Sequence, residues 1–181
     1  PGWIKYMEYN YPDQLDHLSS CKSPQQMFGA LVKNYLPGKI DVPAKDIFCV
    51  SIMPCVAKKY EMARPEMESE NGRDVDAVLT TREAARLFRL KNIDLAKLPD
   101  EEFDSFMGEG TGAARIFGTT GGVMEAAIRT VAWKLTGGEM DTIDYEAARG
   151  YKGVKEATLN INGLEVKVAI VNGIKNAKAV M

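Results

Sequence analysis

Asp46-Ile47-Phe48-Cys49-Val50-Ser51-Ile52-Met53, closed by Pro54-Cys55, is the stretch on which the fold turns. It is apolar on both faces and rich in β-formers, which predicts a buried strand of a parallel sheet covered by helices. Pro54 ends the run. Cys55 therefore falls just past the carboxyl end of a strand, the place where open α/β sheets put their chemistry. Asp76-Ala77-Val78-Leu79 predicts a second buried strand, and Thr80-Thr81-Arg82-Glu83 follows it with the spacing of a capping box. The helix so started turns Ala84, Leu87 and Phe88 inward. Two strand–helix steps in succession predict the α/β class, with a mainly parallel sheet covered by helices.

Working outward, Trp3, Met7, Tyr11, Leu15 and Leu18 recur at helical spacing, interrupted by Pro12. Ser23-Pro24 is a helix start, with Ser23 as cap and Pro24 in the first turn, where its missing N–H is no loss. The helix predicted over 25–35 buries Met27, Phe28, Leu31 and Val32 and stops before Pro37-Gly38. Residues 61–76 carry six acids and two arginines around Pro65 and Gly72, which predicts a solvated loop. A second exposed connection covers 98–106. Phe117-Gly118-Thr119-Thr120-Gly121-Gly122 precedes a helix over 123–135 with Val123, Ala127, Ile128, Val131 and Leu135 as its apolar stripe, ended by Gly137-Gly138. The chain finishes with a C-terminal β-hairpin. Residues 154–161 and 164–171 alternate around Asn162-Gly163, a dipeptide that tolerates the positive φ angles of a type I′ turn.

Length and charge narrow the function. The 181 residues are enough for one globular domain or two small lobes. With 23 Lys+Arg against 25 Asp+Glu there is no basic stripe, so nucleic acid is not expected as a partner. Apolar stretches are short and broken by charge, so neither a membrane insertion nor a secretory signal is expected. Cys21, Cys49 and Cys55 are an odd set without a C-x-x-C, which predicts reduced, buried cysteines in a cytoplasmic protein. They do not complete a four-ligand zinc or cubane site by themselves.

Three elements carry candidate chemistry. Met53-Pro54-Cys55-Val56-Ala57-Lys58-Lys59-Tyr60-Glu61 sets a thiol near two cations that favour its thiolate; a core cysteine beside surface lysines explains the same residues. The glycines of 117–122 suit either an anion cradle or a tight turn allowing close helix packing. Ser19 and Ser23 offer hydroxyls for a polar chain, although capping accounts for Ser23. His17 reads as a surface histidine near a helix end, and Trp133 and the methionines as core.

Together these segments resemble the catalytic domain of the iron-only (di-iron) hydrogenases. The matching residues are Pro1-Gly2-Trp3, Leu18-Ser19-Ser20, Lys22-Ser23-Pro24-Gln25-Gln26, Met53-Pro54-Cys55 with Lys58 and Glu61, Arg73-Asp74, Asp76-Ala77-Val78, Thr80-Thr81-Arg82-Glu83, and Phe117-Gly118 with Gly121-Gly122-Val123-Met124-Glu125-Ala126-Ala127, in family order. The resemblance implies a 4Fe-4S cubane linked through a cysteine to a di-iron unit that carries carbon monoxide, cyanide and a bridging dithiolate. Cys55 matches one of four cubane ligands. The family motifs holding the other ligands and the proton-donating cysteine would lie before Pro1 and after Met181, so 1–181 is expected to be one α/β lobe of a longer domain, inactive alone and without a stoichiometric cofactor. Lys58 matches the lysine that donates to an iron cyanide. Ser23, Pro24 and Gln25 match residues around the di-iron unit, Met53 and Pro54 pack beside it, and Phe117 and Gly118 match residues enclosing the same pocket. Ser19 matches a hydroxyl of the proton pathway. Cys21 and Cys49 fall off the ligand positions and are treated as structural. The implied activity is reversible reduction of protons to dihydrogen, with electrons from a ferredoxin-type donor or accessory iron–sulfur domains. A hydrogen sensor or an iron–sulfur assembly protein of the same fold is the alternative, and a nucleotide-binding module using the 118–122 turn ranks last.

Overall fold

The computed structural model describes residues 2–140, 143–148, 150 and 152–181; Pro1 of the Pro1-Gly2-Trp3 match lies outside them. The chain divides into two compact units, Pro1–Pro99 and Asp100–Met181.

In the first unit α1 (Gly2–Asn10) runs into a 3-10 segment at Pro12–His17. Then α2 (Pro24–Asn34) starts as predicted: Ser23 Oγ accepts from Gln26 N at 3.4 Å and Pro24 occupies the first turn. A short α3 (Pro37–Ile40) leads to β1 (Val50–Met53), α4 (Ala57–Met62), the small strands β2 (Glu68–Ser69) and β3 (Gly72–Arg73), then β4 (Ala77–Thr80) and α5 (Thr81–Leu90). β1 and β4 pair in parallel, Val50 opposite Ala77 and Met53 opposite Thr80. The capping box of α5 is complete, with Glu83 N donating to Thr80 Oγ1 at 3.2 Å and Thr80 N donating to Glu83 Oε2 at 2.8 Å.

The expected mainly parallel sheet is not what forms. Among the described residues the parallel sheet has two strands, β2 and β3 make a two-stranded antiparallel sheet, and the largest sheet is antiparallel. β1 is correspondingly less covered than predicted: Ser51 and Met53 are half-buried while Val50 and Ile52 remain exposed. With a single neighbouring strand, β1 keeps one open edge and alternate residues face outward.

Helix α2 turns a different face inward from the one expected, keeping only Val32 of the predicted set buried. Met27, Phe28 and Leu31 are exposed, and the buried side holds Gln25, Gln26, Gly29, Val32 and Lys33. The reason is a set of polar partners distant in sequence. Lys33 Nζ donates to Ile47 O at 2.6 Å and pairs with Asp76 Oδ2 at 2.7 Å, while Ser51 Oγ donates to Gln25 Oε1 at 2.8 Å. Gly29 lets the helix approach the chain at Asp74, since a Cβ there would sit 2.5 Å from Asp74 O. The predicted solvated loop over 61–76 is likewise anchored at both ends, with Glu61, Asp74 and Val75 buried. α1 is held to the end of α4 by Glu8 and Arg64 at 2.7 Å, and the Arg64 guanidinium holds the Glu8 carboxyl below its usual range.

The second unit contains α6 (Gly112–Phe117), which the sequence did not predict, and α7 (Gly122–Thr136). Strands β5 (Glu146–Ala147), β6 (Val154–Ile161) and β7 (Leu164–Val171) form the antiparallel sheet, followed by α8 (Ile174–Val180). The β6–β7 hairpin has the predicted register, with Asn162 at φ 52 and Gly163 at φ 84. Ile128 and Ala132 of α7 pack with Ile143 and Ile161 to make its core. The expected stripe on α7 is displaced: Val123, Val131 and Leu135 are exposed, and Gly122, Ala126, Ile128 and Ala132 are inside. Trp133, expected in the core, is 56% exposed.

Candidate functional site

Cys55 lies two residues past the end of β1, after Pro54, and is exposed ahead of α4. Its carbonyl accepts from Lys58 N at 3.2 Å, which begins the helical turn carrying Lys58 and Glu61. Those two residues are three apart, so their side chains share a helix face, and Lys58 Nζ meets Glu61 Oε2 at 3.1 Å. Ser23, from the cap of α2, donates its hydroxyl to the same Oε2 at 2.9 Å. One buried carboxylate oxygen thus joins two segments that are 38 residues apart in sequence.

Gln25 is anchored nearby through Ser51, and its Nε2 is buried without a hydrogen-bond partner among the described residues. A buried amide that donates to nothing carries a desolvation cost, so it suits an acceptor brought by a ligand. Met53 is half-buried at the strand end, whereas Pro24 and Pro54 are exposed. Ser19, exposed, accepts from Cys21 N at 3.2 Å and lines a cavity of about 460 Å³ that also touches Trp3, Lys22, Ser23, Glu61 and Arg64. Ser19, Ser23, Gln25, Cys55 and Lys58 are therefore linked in one region of the first unit.

The pairing expected to favour a Cys55 thiolate takes another form. Lys58 is committed to Glu61, and Lys59 Nζ pairs with Glu83 at 2.6 Å, so both ammonium groups answer carboxylates. The buried-cysteine expectation also changes, since Cys21 and Cys55 are exposed and only Cys49 is half-covered. Burial, then the Asp76 carboxylate, pushes the Cys49 thiol up. Among the described residues no group of three or more His, Cys, Asp and Glu side chains gathers as a metal site, so Cys55 stands as a single donor.

Phe117 and Gly118 belong to the second unit. Phe117 ends α6 and is 39% exposed. Gly118 has an ordinary φ of −74, and a Cβ on it would meet no protein atom within 4 Å, so the space beside it is open. The anion-cradle alternative weakens at this turn, because Gly118 N, Thr119 N and Gly122 N donate to Ile116 O, Ile116 O and Thr119 O. Those N–H groups build a turn and are spent. Gly122 is needed there because a Cβ would collide with Ile116 O.

Glu61 matches the family motif together with Lys58 but also falls at the start of the predicted solvated loop, and sequence reasoning assigns it no role. Its signal was present in the Lys58–Glu61 spacing, but the third partner, Ser23, comes from far along the chain.

Mixed α/β units with a thiol past a strand end, a largely buried lysine–glutamate pair and an amide unpaired among the described residues are what the chain brings to a comparison with known proteins. The apo [FeFe]-hydrogenase HydA1 of Chlamydomonas reinhardtii superposes with a TM-score of 0.81 at 38% identity, covering 99% of this chain and 52% of that one. The large subunit of the periplasmic [Fe] hydrogenase of Nitratidesulfovibrio vulgaris is 54% identical over 99% of this chain and 43% of its own length. A cytosolic Fe-S cluster assembly factor of Xenopus tropicalis is more distant, 32% identical over 97% of this chain and 38% of its own length. The family model described as iron only hydrogenase large subunit, C-terminal domain, matches residues 1–181, and the chain belongs to that family. It spans less than half the length of these curated relatives. Among the described residues no helix is long and apolar enough to cross a membrane.

Proposed function

We propose that this chain is part of a hydrogenase catalytic domain that reversibly reduces protons to dihydrogen at a cubane-linked di-iron cofactor. The observation that carries this reading is the family match over residues 1–181, joined to a site whose donors suit such a group. The fit rests on this chain's own atoms: an exposed thiol at Cys55 and the buried Gln25 Nε2, which has no partner among the described residues.

When bound, the cofactor supplies the redox chemistry, taking up and releasing electrons as protons and dihydrogen interconvert. The residues do the rest. Cys55 holds one iron of the cubane as thiolate. Lys58, a compact cation, would donate to a cyanide, and Gln25 Nε2 would give the group a neutral hydrogen bond. Met53, Pro24 and Pro54 would supply apolar wall beside it. Ser19, beside the cavity, passes a proton through its hydroxyl. Residues 1–181 serve as one lobe of the parent domain, and electrons arrive from a ferredoxin-type donor or accessory iron–sulfur domains. We place the protein in the cytoplasm on its three free cysteines, and cell fractionation tests that against the periplasmic relative.

The test is reconstitution of the full-length parent with synthetic di-iron cofactor, followed by hydrogen evolution. Turnover is expected, and an occupied site without turnover rejects catalysis and favours a sensor. Cys55→Ala is expected to lose cubane iron, and unchanged iron content overturns the ligand role. The assembly-factor reading draws on the 32% identical relative, and it predicts cubane retention with no uptake of the di-iron unit. The isolated 181-residue chain is expected to evolve no hydrogen.

A further inference from the structure

We infer that Glu61 is a positioning residue, a buried carboxylate that fixes the Lys58 ammonium and accepts the Ser23 hydroxyl hydrogen bond, so that Ser23 acts on the site through Glu61 instead of donating to the cofactor itself. This rests on the proposed hydrogenase reading for the identity of the group that Lys58 faces.

Glu61 is 5% exposed, and a carboxylate so placed is tolerated only when charge and hydrogen bonds compensate its lost hydration. Both compensations fall on Oε2, from Lys58 Nζ at 3.1 Å and Ser23 Oγ at 2.9 Å. Ser23 has one hydroxyl hydrogen, and it is directed to Glu61. Its oxygen accepts from Gln26 N at 3.4 Å, which is the helix cap. Donor and acceptor are both engaged within the protein. Lys58 differs: an ammonium has three donors, and Glu61 takes one of them. A lysine left alone on a six-residue helix samples many rotamers, whereas one tethered at its tip presents its remaining hydrogens in a set direction. The bracket also ties α4 to the cap of α2, so the direction of Lys58 is referred to two elements instead of one.

The test uses the full-length parent in the wild-type form and as Glu61→Gln, Glu61→Ala and Ser23→Ala. In iron-free protein, acetylation of Lys58 by a water-soluble anhydride is followed by peptide mass spectrometry, with the exposed Lys97 as internal reference. Glu61→Ala is expected to raise the Lys58 rate about tenfold relative to Lys97, the loss of a single charge-assisted hydrogen bond. Glu61→Gln, which keeps the shape and guards against a failure of the alanine variant to fold, is expected to raise it about threefold. After loading with synthetic di-iron cofactor, both Glu61 variants are expected to shift and broaden the infrared cyanide stretches at unchanged iron content. Ser23→Ala is expected to do so in the same direction and to a smaller extent. Lys58 rates within about twofold of wild type in both Glu61 variants overturn the inference. So do unmoved cyanide bands. If the wild type itself shows no cyanide bands after loading, the hydrogenase reading fails, and the acetylation rates still decide whether Glu61 holds Lys58.

Discussion

Lys33 Nζ lies 2.7 Å from Asp76 Oδ2 with only 4% of the Lys33 side chain exposed, so the buried face of α2 is held by an ion pair where the apolar pattern called for hydrocarbon. Asp76 Oδ2 also accepts from Cys49 N at 2.7 Å, and Lys33 donates to Ile47 O, which makes the pair part of the connection between α2 and the parallel strands. Removing one partner of such a pair leaves a charge uncompensated, at a cost of about 3 kcal/mol or more. Lys33→Ala is expected to lose about that much in urea unfolding, and Lys33→Met less, because its chain still fills the space. Equal stability of Lys33→Ala and wild type contradicts this account of the helix face.

The contact between Gly29 and Asp74 makes a second prediction. A methyl at residue 29 would sit 2.5 Å from a backbone carbonyl oxygen and 2.8 Å from Val75 Cγ2, and neither neighbour is the free end of a flexible side chain. Alanine normally stabilises a helix interior by about 1 kcal/mol over glycine. Here the overlap works against that gain, and Gly29→Ala is expected to be destabilising by about 1–3 kcal/mol. Thermal denaturation of the two forms decides the sign.

What the sequence reveals follows the range of the interactions. The Ser23 cap, the Thr80–Glu83 box, the Asn162-Gly163 turn and the Gly137 stop each depend on residues within a few positions, and each is where the pattern puts it. Burial is decided at longer range. Met27, Phe28 and Leu31 have the spacing of a core face, yet Gln25 and Lys33 find Ser51, Ile47 and Asp76 and carry the helix inward on its polar side. α7 buries Gly122, Ala126, Ile128 and Ala132, leaving Val123, Val131 and Trp133 outside. At the site, the strand-end position of Cys55 was legible, while the role of Glu61 depends on Ser23 and was not.

The capping box predicts a pH dependence with a definite sign. The Lys59 ammonium first, then the Thr80 N–H and hydroxyl, pull the Glu83 carboxyl down to about 2. In the unfolded chain it titrates near ~4.3. Between those values the unfolded form binds the proton and the folded form does not, so this contribution is complete above the window and fades as pH falls through it. Wild type is expected to lose stability from about pH 5 toward about pH 2 more steeply than Glu83→Gln, with the two curves converging at the acid end. Parallel curves from urea titrations across that range remove the box as a source of acid sensitivity. Because the Lys59–Glu83 pair is open to solvent, with side chains 37% and 46% exposed, added salt is expected to narrow the gap.

Thiol reactivity separates the three cysteines and reaches back to the site. Cys21 and Cys55 are exposed, whereas Cys49 is half-covered with its thiol pushed up by burial and by Asp76, which lowers the fraction of reactive thiolate at neutral pH. Iodoacetamide is expected to alkylate Cys21 and Cys55 ahead of Cys49, as read by peptide mass mapping. In the full-length parent the same experiment distinguishes ligand from bystander, because a thiolate bound to iron has its lone pair engaged and is withheld from the reagent. Cys55 is expected to react in iron-free protein and to be protected once the cubane is assembled, while Cys49 reacts at the same rate in both. Equal alkylation of Cys55 with and without iron leaves the cubane anchored elsewhere and detaches the strand-end thiol from the metal.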